Sequence, residues 1–249
     1  MSSFNIKNIE FDEGRYCRAN LGFIVLSTDL AVENDIFRMT PEGVGVSFTR
    51  LKTDDYTTNK TLASHIHQIA EAAARIQPDI KPDVISYCCT SGSIIIGEEN
   101  VEKEIIKGAP YAKPMTLVSG VVDALRAVSA KKIVIGTPYL DEINKMEEDF
   151  FKMKEFDVLD IQGLNLETGI EFGKITPNFL KEFALNINND EADAVFISCS
   201  GIRSVDIIQD VESEIGKPVI TSNQAQMWSA LRKANIKDKI SGFGEIFKY

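Results

Sequence analysis

Two cysteines in this chain stand in matching local contexts. Cys89 follows the apolar run of DVISYCCTSGS, and Cys199 follows that of DAVFISCSGIRS. Each thiol ends its run, precedes a small-residue turn and leads toward a helical pattern. The two lie 110 positions apart in 249 residues, so each half of the chain supplies one. If the halves face each other, a small substrate has one sulfur on either side, an arrangement suited to chemistry at a single carbon. One cysteine ending a buried strand is ordinarily a small core residue. Two such sites, each followed by a small polar turn, favour the chemical reading.

The other candidates are weaker. Cys88 alternates with Cys89, so its side chain leaves the strand in the opposite direction and is expected in the core. Cys17 lies in a polar stretch and receives no role. His65 and His67 are two apart on a helical pattern and do not share a face, so a solvated or capping role is expected for them. Without a well-placed histidine, a Cys–His hydrolase has little support. No GxGxxG or Walker loop follows a strand, so nucleotide binding is unsupported. No CxxC or Cys/His cluster points to zinc.

The formal net charge is −10 and no basic cluster offsets it, which argues against nucleic acid or an anionic membrane as partner. An anionic substrate would then need a local electropositive site, such as a helix N-terminus. Four cysteines, two of them adjacent, do not form a secreted disulfide framework. The polar opening MSSFNIKNIEFDEGRYCRAN lacks a signal-peptide stretch, and no segment approaches the ~20 apolar residues of a membrane helix. A cytoplasmic location is the expectation.

Elements must hold the thiols in place, and short apolar runs alternate with helical patterns almost throughout. Strands are predicted at 21–27, 44–51, 83–88, 132–137, 156–163, 193–199 and 217–222. Helices are predicted from Thr61 to Ile76, from the CTSGS turn to about Lys107, and after Ser119 as cap. Further helices are predicted over Asp141–Lys154, from Pro177 to about Asn188, over Ser204–Ile215 and over Asn223–Asn235. Strands apolar throughout and alternating with helices predict α/β architecture with parallel sheets covered on both faces. The expectation is two small flavodoxin-like lobes, 1–115 plus 222–249 and 116–221, with the C-terminal helix returning to the first.

In open parallel sheets, ligands bind beyond the carboxyl ends of strands. Ser27-Thr28-Asp29, Cys89-Thr90-Ser91, Thr137-Pro138-Tyr139 and Cys199-Ser200-Gly201 all fall there. Unpaired N–H groups and a helix dipole in such places lower a cysteine pKa from about 8.5 toward roughly 3.5–7.5. The same donors, with the Thr90 and Ser91 hydroxyls, can hold a carboxylate. Thiolate and carboxylate would compete for that potential, so the protonation state stays open.

Taken together, GFIVLSTDLAVE, MTPEGVGVSFTRL, YCCTSGS, IGTPY, ISCSGIRS and VITSNQAQMWSALR resemble the aspartate/glutamate racemase superfamily. The chain is most similar to the branch of maleate cis–trans isomerase, arylmalonate decarboxylase and EutA-like proteins. That resemblance implies two pseudo-symmetric lobes with the active site between them, no metal, no organic cofactor and a small carboxylate substrate. It permits a homodimer. It implies Cys89 and Cys199 as the catalytic pair, Thr90 and Ser91 as the carboxylate-binding turn, and Tyr139 as the active-site tyrosine. Thr28, Asp29, Ser200 and Gly201 complete the expected substrate-binding set.

Two departures matter. Asp29 stands where maleate isomerases carry asparagine, and Gly169 stands near a second substrate-binding asparagine, with Asn165 offset. Retention of both cysteines implies an isomerase or racemase. Alternatives are decarboxylation of a malonate-type acid, β-elimination, or a ligand-binding or regulatory protein without turnover.

Overall fold

The computed structural model describes residues 9–249; the expectation about the opening residues falls partly on 1–8, outside the described residues. Two four-stranded parallel sheets form the frame. The first has the order β2-β1-β3-β4, built from β1 (Ala19–Leu26), β2 (Val44–Leu51), β3 (Val84–Tyr87) and β4 (Lys113–Thr116). The second has the order β6-β5-β7-β8, built from β5 (Lys132–Thr137), β6 (Asp157–Gly163), β7 (Ala194–Ile197) and β8 (Val219–Thr221). The two orders are the same, so β1 corresponds to β5 and β3 to β7.

Registers such as Leu21↔Val84 in the first sheet and Ile133↔Ala194 in the second align the inner strands. Every residue of β3 and β7 is buried. That explains their lack of polar alternation: helices cover both faces, and the one polar residue of the two strands, Ser86, is buried and bonded to Gln226. Each such aliphatic side chain contributes about 1.5–3 kcal/mol by leaving water.

Eleven α-helices are formed by the described residues. In chain order they are α1 (Val32–Arg38), α2 (Asn59–Ser64), α3 (Ile66–Ala74), α4 (Thr90–Ile96), α5 (Glu98–Gly108) and α6 (Leu117–Ala127). There follow α7 (Asp141–Met153), α8 (Gly169–Lys174), α9 (Pro177–Ile187), α10 (Ile208–Ile215) and α11 (Ser222–Lys233). No helix among the described residues is long and apolar enough to cross a membrane.

Several elements differ from the sequence reading. The strand β4 was not expected, because Pro114 interrupts it; at the edge of a sheet its missing N–H costs little. The cap of α6 is Thr116, whose side chain accepts from Ser119 N–H, while Ser119 reciprocates as the N3 residue of a capping box. The single helix expected over 61–76 is two, α2 and α3, parted at His65. The span 204–215 begins as a 3-10 turn over Ser204–Ile207 before α10.

The helices α6 and α11 follow the edge strands β4 and β8, pack closely on each other, and each also touches the opposite sheet. From α11, Gln226 Nε2 donates to Ser86 Oγ on β3 at 2.7 Å, and Asn223 Nδ2 donates to Asp35 Oδ2 on α1 at 2.8 Å. These buried polar links set the sheets so that the ends of their inner strands face one cavity.

Candidate functional site

The two cysteines occupy equivalent positions, each two residues beyond the last residue of an inner strand. Cys89 follows β3 and Cys199 follows β7. Both line one cavity of about 40 Å³. Its walls also carry Thr28, Asp29, Ser91, Tyr139, Ser200 and Gly201, all expected from the sequence. Thr90 is the exception. It is fully buried, its Oγ1 lies 2.9 Å from Ser222 Oγ, and it does not line the cavity.

The equivalent positions differ locally. Cys89 is the N-cap of α4, and its sulfur accepts from Gly92 N–H at 3.3 Å. Cys199 begins a turn rather than a helix, so the helix-dipole argument does not reach it. Its backbone has φ +111°, an uncommon value for a residue with a Cβ. Three bonds help hold it there: Cys199 N–H donates to Ser222 Oγ at 3.0 Å, Gly201 N–H donates to Cys199 Sγ at 3.3 Å, and Ser198 N–H donates to Gly136 O at 2.8 Å.

Burial decides the charge state of both sulfurs. It pushes Cys89 up, against hydrogen bonds from Gly92 N–H, Ser91 and Tyr87 that favour the thiolate, and Asp29 adds to the rise. It pushes Cys199 further, well above the ordinary thiol range, against bonds from Tyr139 and Gly201 N–H. The depression expected at strand ends is therefore outweighed by desolvation. Each thiol has its own tyrosine, Tyr87 for Cys89 and Tyr139 for Cys199, and burial raises both phenols far above their usual value. Both are hydrogen-bonding alcohols rather than phenolates.

Asp29 spans the two halves. Its Oδ1 accepts from Ala31 N–H at 2.8 Å and Val32 N–H at 2.9 Å, and its Oδ2 accepts from Ser200 Oγ at 3.0 Å. Burial raises its pKa; these donors and the nearby Arg50 guanidinium work the other way. Arg50 itself donates to the Leu26, Ser27 and Asp29 carbonyls and holds the turn after β1 in shape.

Sequence reasoning missed one wall. The segment after β2 brings Thr53, Asp54, Asp55, Tyr56 and Thr57 to the cavity. The strand-end argument, applied to 44–51, would have reached them. This segment clasps the other half: Thr57 N–H donates to Glu167 O at 2.9 Å, Gly169 N–H to Asp55 O at 3.0 Å, and Ile170 N–H to Asp55 Oδ1 at 3.1 Å. Gly169 lines the cavity and Asn165 does not. A Cβ on Gly169 would lie 3.1 Å from Thr28 Oγ1, so a side chain there would press on the Thr28 hydroxyl.

His65 also departs from expectation. It is fully buried rather than solvated, with Nδ1 2.7 Å from Tyr87 Oη and Nε2 2.7 Å from Thr53 Oγ1, and its side chain caps neither helix. Cys88 is in the core, as expected, and accepts from Gln226 Nε2 at 3.1 Å. No group of three or more His, Cys, Asp or Glu side chains among the described residues is placed to hold a metal ion.

Comparison with known proteins agrees with this architecture. The sequence model of the family described as arylmalonate decarboxylase matches residues 21–247. Maleate isomerase of Nocardia farcinica is 23% identical over 240 residues, covering 92% of this chain and 95% of that one. Arylmalonate decarboxylase of Bordetella bronchiseptica is 26% identical over 188 residues, covering 73% of this chain and 78% of that one. A solved structure of the Nocardia farcinica maleate cis–trans isomerase, a cysteine-to-serine variant with a covalently bound succinylcysteine intermediate, superposes with a TM-score of 0.83 at 22% identity. It covers 92% of this chain and 98% of that one.

Proposed function

From the premise that the chain belongs to the arylmalonate decarboxylase family, we propose that it is a cofactor-independent isomerase of a small carboxylate, of the maleate isomerase kind. One observation carries the reading: two buried cysteines at equivalent strand ends line a single small cavity, each with its own tyrosine. A relative with a succinylcysteine intermediate supports covalent addition by one sulfur.

In the proposed reaction, the Cys89 thiolate adds to one carbon of an activated double bond. The Cys199 thiol gives its proton to the neighbouring carbon, so a C–S and a C–H bond form as the π bond and the S–H bond break. Rotation about the new single bond follows. The Cys199 thiolate then takes a proton back, and Cys89 leaves with its electron pair. Ser91 and Thr28 offer hydroxyl donors to the substrate carboxylates, Ser200 and the Gly201 N–H line the site while bonded to Asp29 and to the Cys199 sulfur, and Thr90 acts through Ser222. Tyr139 donates to the Cys199 sulfur when it is ionised.

The experiment is direct. The purified protein is given maleate, and fumarate is followed by proton NMR. Turnover should fall by at least about 10³-fold in Cys89→Ser and in Cys199→Ser. Mass spectrometry of the Cys199→Ser protein should find a succinyl adduct on Cys89. Full activity in either variant would sink the two-thiol mechanism.

A second reading within the same chemistry rests on charge. Asp29, Asp54 and Asp55 line the cavity, and no lysine or arginine among the described residues does. Such a wall suits a substrate that carries an ammonium or other cationic group beside its carboxylate. For such a substrate, one thiolate removes the α-proton and the opposite thiol protonates the other face. Solvent deuterium at the stereocentre without a covalent adduct distinguishes this racemisation from isomerisation.

The proposal extends to the setting. The links from α11 to Ser86 and Asp35 support grouping 222–249 with the first lobe, 1–115, against 116–221. Three buried free thiols suit a reducing compartment, which we take to be the cytoplasm. A homodimer is tested by light scattering on the eluted protein.

A further inference from the structure

Cys89 must become a thiolate in a site that holds it as a thiol, and the structure contains a path for the departing proton. The Tyr87 hydroxyl lies beside the Cys89 sulfur: a Cβ placed on Gly92 would be 2.4 Å from Tyr87 Oη and 2.9 Å from Cys89 Sγ. Tyr87 Oη is 2.7 Å from His65 Nδ1, and His65 Nε2 is 2.7 Å from Thr53 Oγ1. Thr53 lines the cavity. Tyr87 and His65 are fully buried, so their hydrogens go to protein partners rather than to water.

The resting direction of the chain follows from counting donors. With Thr53 Oγ1 donating to Asp54 O at 3.2 Å, the same oxygen accepts from His65 Nε2–H. Burial lowers the His65 pKa to about 4, so near neutral pH the ring carries one hydrogen, and Nδ1 is then an acceptor. Tyr87 gives its only hydrogen to that nitrogen and can merely accept from the Cys89 S–H. This order favours the thiol. The reverse order runs from Thr53 O–H to Nε2, from Nδ1–H to Tyr87 Oη, and from Tyr87 O–H to sulfur. It favours the thiolate.

We propose that Tyr87, His65 and Thr53 form a reversible hydrogen-bond chain that carries the Cys89 proton to the cavity and, by reversing, stabilises the thiolate left behind. The Cys89 S–H bond breaks as an O–H bond forms at Tyr87, whose former proton moves to His65 Nδ1. The Nε2 proton moves to Thr53 Oγ1, and the former Thr53 proton passes to a water or substrate carboxylate in the cavity. One proton leaves, one thiolate forms, and every chain member stays neutral. Tyr87 and His65 are thus positioning residues that act through Cys89. The proposal assumes that Cys89 reacts as a thiolate, as in the reading above. The other titratable groups around that sulfur are Asp29 in the turn after β1, Cys199 and Tyr139 across the cavity and Cys88 on the far side of the strand.

Gly92 fits the same picture. A Cβ there would lie 2.4 Å from Tyr87 Oη and 2.9 Å from Cys89 Sγ, so only glycine leaves these two atoms room to approach.

The test reads Cys89 and Cys199 separately, by iodoacetamide alkylation and mass spectrometry of the full chain at one fixed pH, without substrate. In Tyr87→Phe the thiolate loses its donor, and Cys89 should alkylate about tenfold more slowly while Cys199 keeps its rate. In Thr53→Val the Nε2–H would be a buried donor without a partner, which costs more than a bare ring nitrogen. The ring therefore shifts to the Nδ1–H form, and Cys89 should alkylate about threefold faster. Opposite effects confined to one sulfur are not expected of a merely structural network. An unchanged Cys89 rate in Tyr87→Phe, a slower one in Thr53→Val, or equal changes at Cys199 would each overturn the chain. If Tyr87→Phe fails to fold, the Thr53→Val rate decides. No substrate enters the measurement, so failure of the chain and absence of isomerase turnover are separate results.

Discussion

The hydroxyls of Thr90 and Ser222 lie 2.9 Å apart, and Ser222 Oγ also accepts from the Cys199 N–H. A residue beside one thiol is thereby tied, through the first residue of α11, to the backbone of the other. Both contacts are buried, so they are not exchanged for water without cost. They also fix Cys199 in its unusual backbone conformation.

Ser222→Ala should therefore do more than remove one bond. The Cys199 N–H is left without a partner, and the protein should lose about 1–3 kcal/mol in urea unfolding. Activity should fall by about ten- to a hundredfold, because a small displacement of a reacting group is expensive. Unaltered turnover in the variant would mean that Cys199 is placed by other contacts.

Asp29→Asn tests the charge of the cavity wall. Asparagine keeps an acceptor for the Ala31 and Val32 N–H groups and can still bond Ser200, so the turn should persist. What disappears is a buried carboxyl facing both thiols. Affinity for a dianion such as maleate should rise relative to a zwitterion by about tenfold, the worth of one charged contact of about 1.4 kcal/mol. Inhibition constants for maleate and for aspartate, measured on both proteins, give the ratio. A ratio that does not move places Asp29 away from the substrate.

Much of this site was legible because strand ends are local. Cys89, Cys199, Asp29 and Tyr139 each follow an apolar run directly, and a parallel sheet places such residues at one edge. Other features had no local signal. His65 meets Tyr87 and Thr53 only once α3 has packed on the sheet, and Thr90 meets Ser222 across 132 positions. The strand β4 was hidden by Pro114, whose missing N–H matters less at an edge. The thiol charge state could not be read from motif position either, since burial, a property of the whole fold, outweighed the local donors.

Gly92→Ala should be as damaging as the loss of a catalytic group, although no reacting atom is removed. The new methyl would overlap Tyr87 Oη and crowd Cys89 Sγ inside packed structure. Overpacking of this kind costs about 1–3 kcal/mol, and here the atoms that must move are those that set the nucleophile. The expected result is a folded, less stable protein with activity reduced by about a hundredfold or more. Near-normal turnover would show that Tyr87 can move without consequence.

Glu147 gives a prediction about pH. It lies on α7, fully buried, with Oε1 accepting from Ser198 Oγ at 3.0 Å and Oε2 without a partner among the described residues. Burial raises its pKa from 4.5 to about 8, against the Ser198 bond. In the unfolded chain the carboxyl ionises near 4.5, so between that pH and about 8 the folded state binds more protons than the unfolded one. Stability from this group is complete below pH 4.5 and falls as pH rises through about 8. The slope is about 1.4 kcal/mol per pH unit within that window. Glu147→Gln keeps an acceptor for Ser198 but cannot ionise, so it should be more stable than the parent at pH 8 and lose that advantage toward pH 5. Urea unfolding at the two pH values measures the difference. Parallel losses in both proteins would mean that Glu147 reaches water when it ionises.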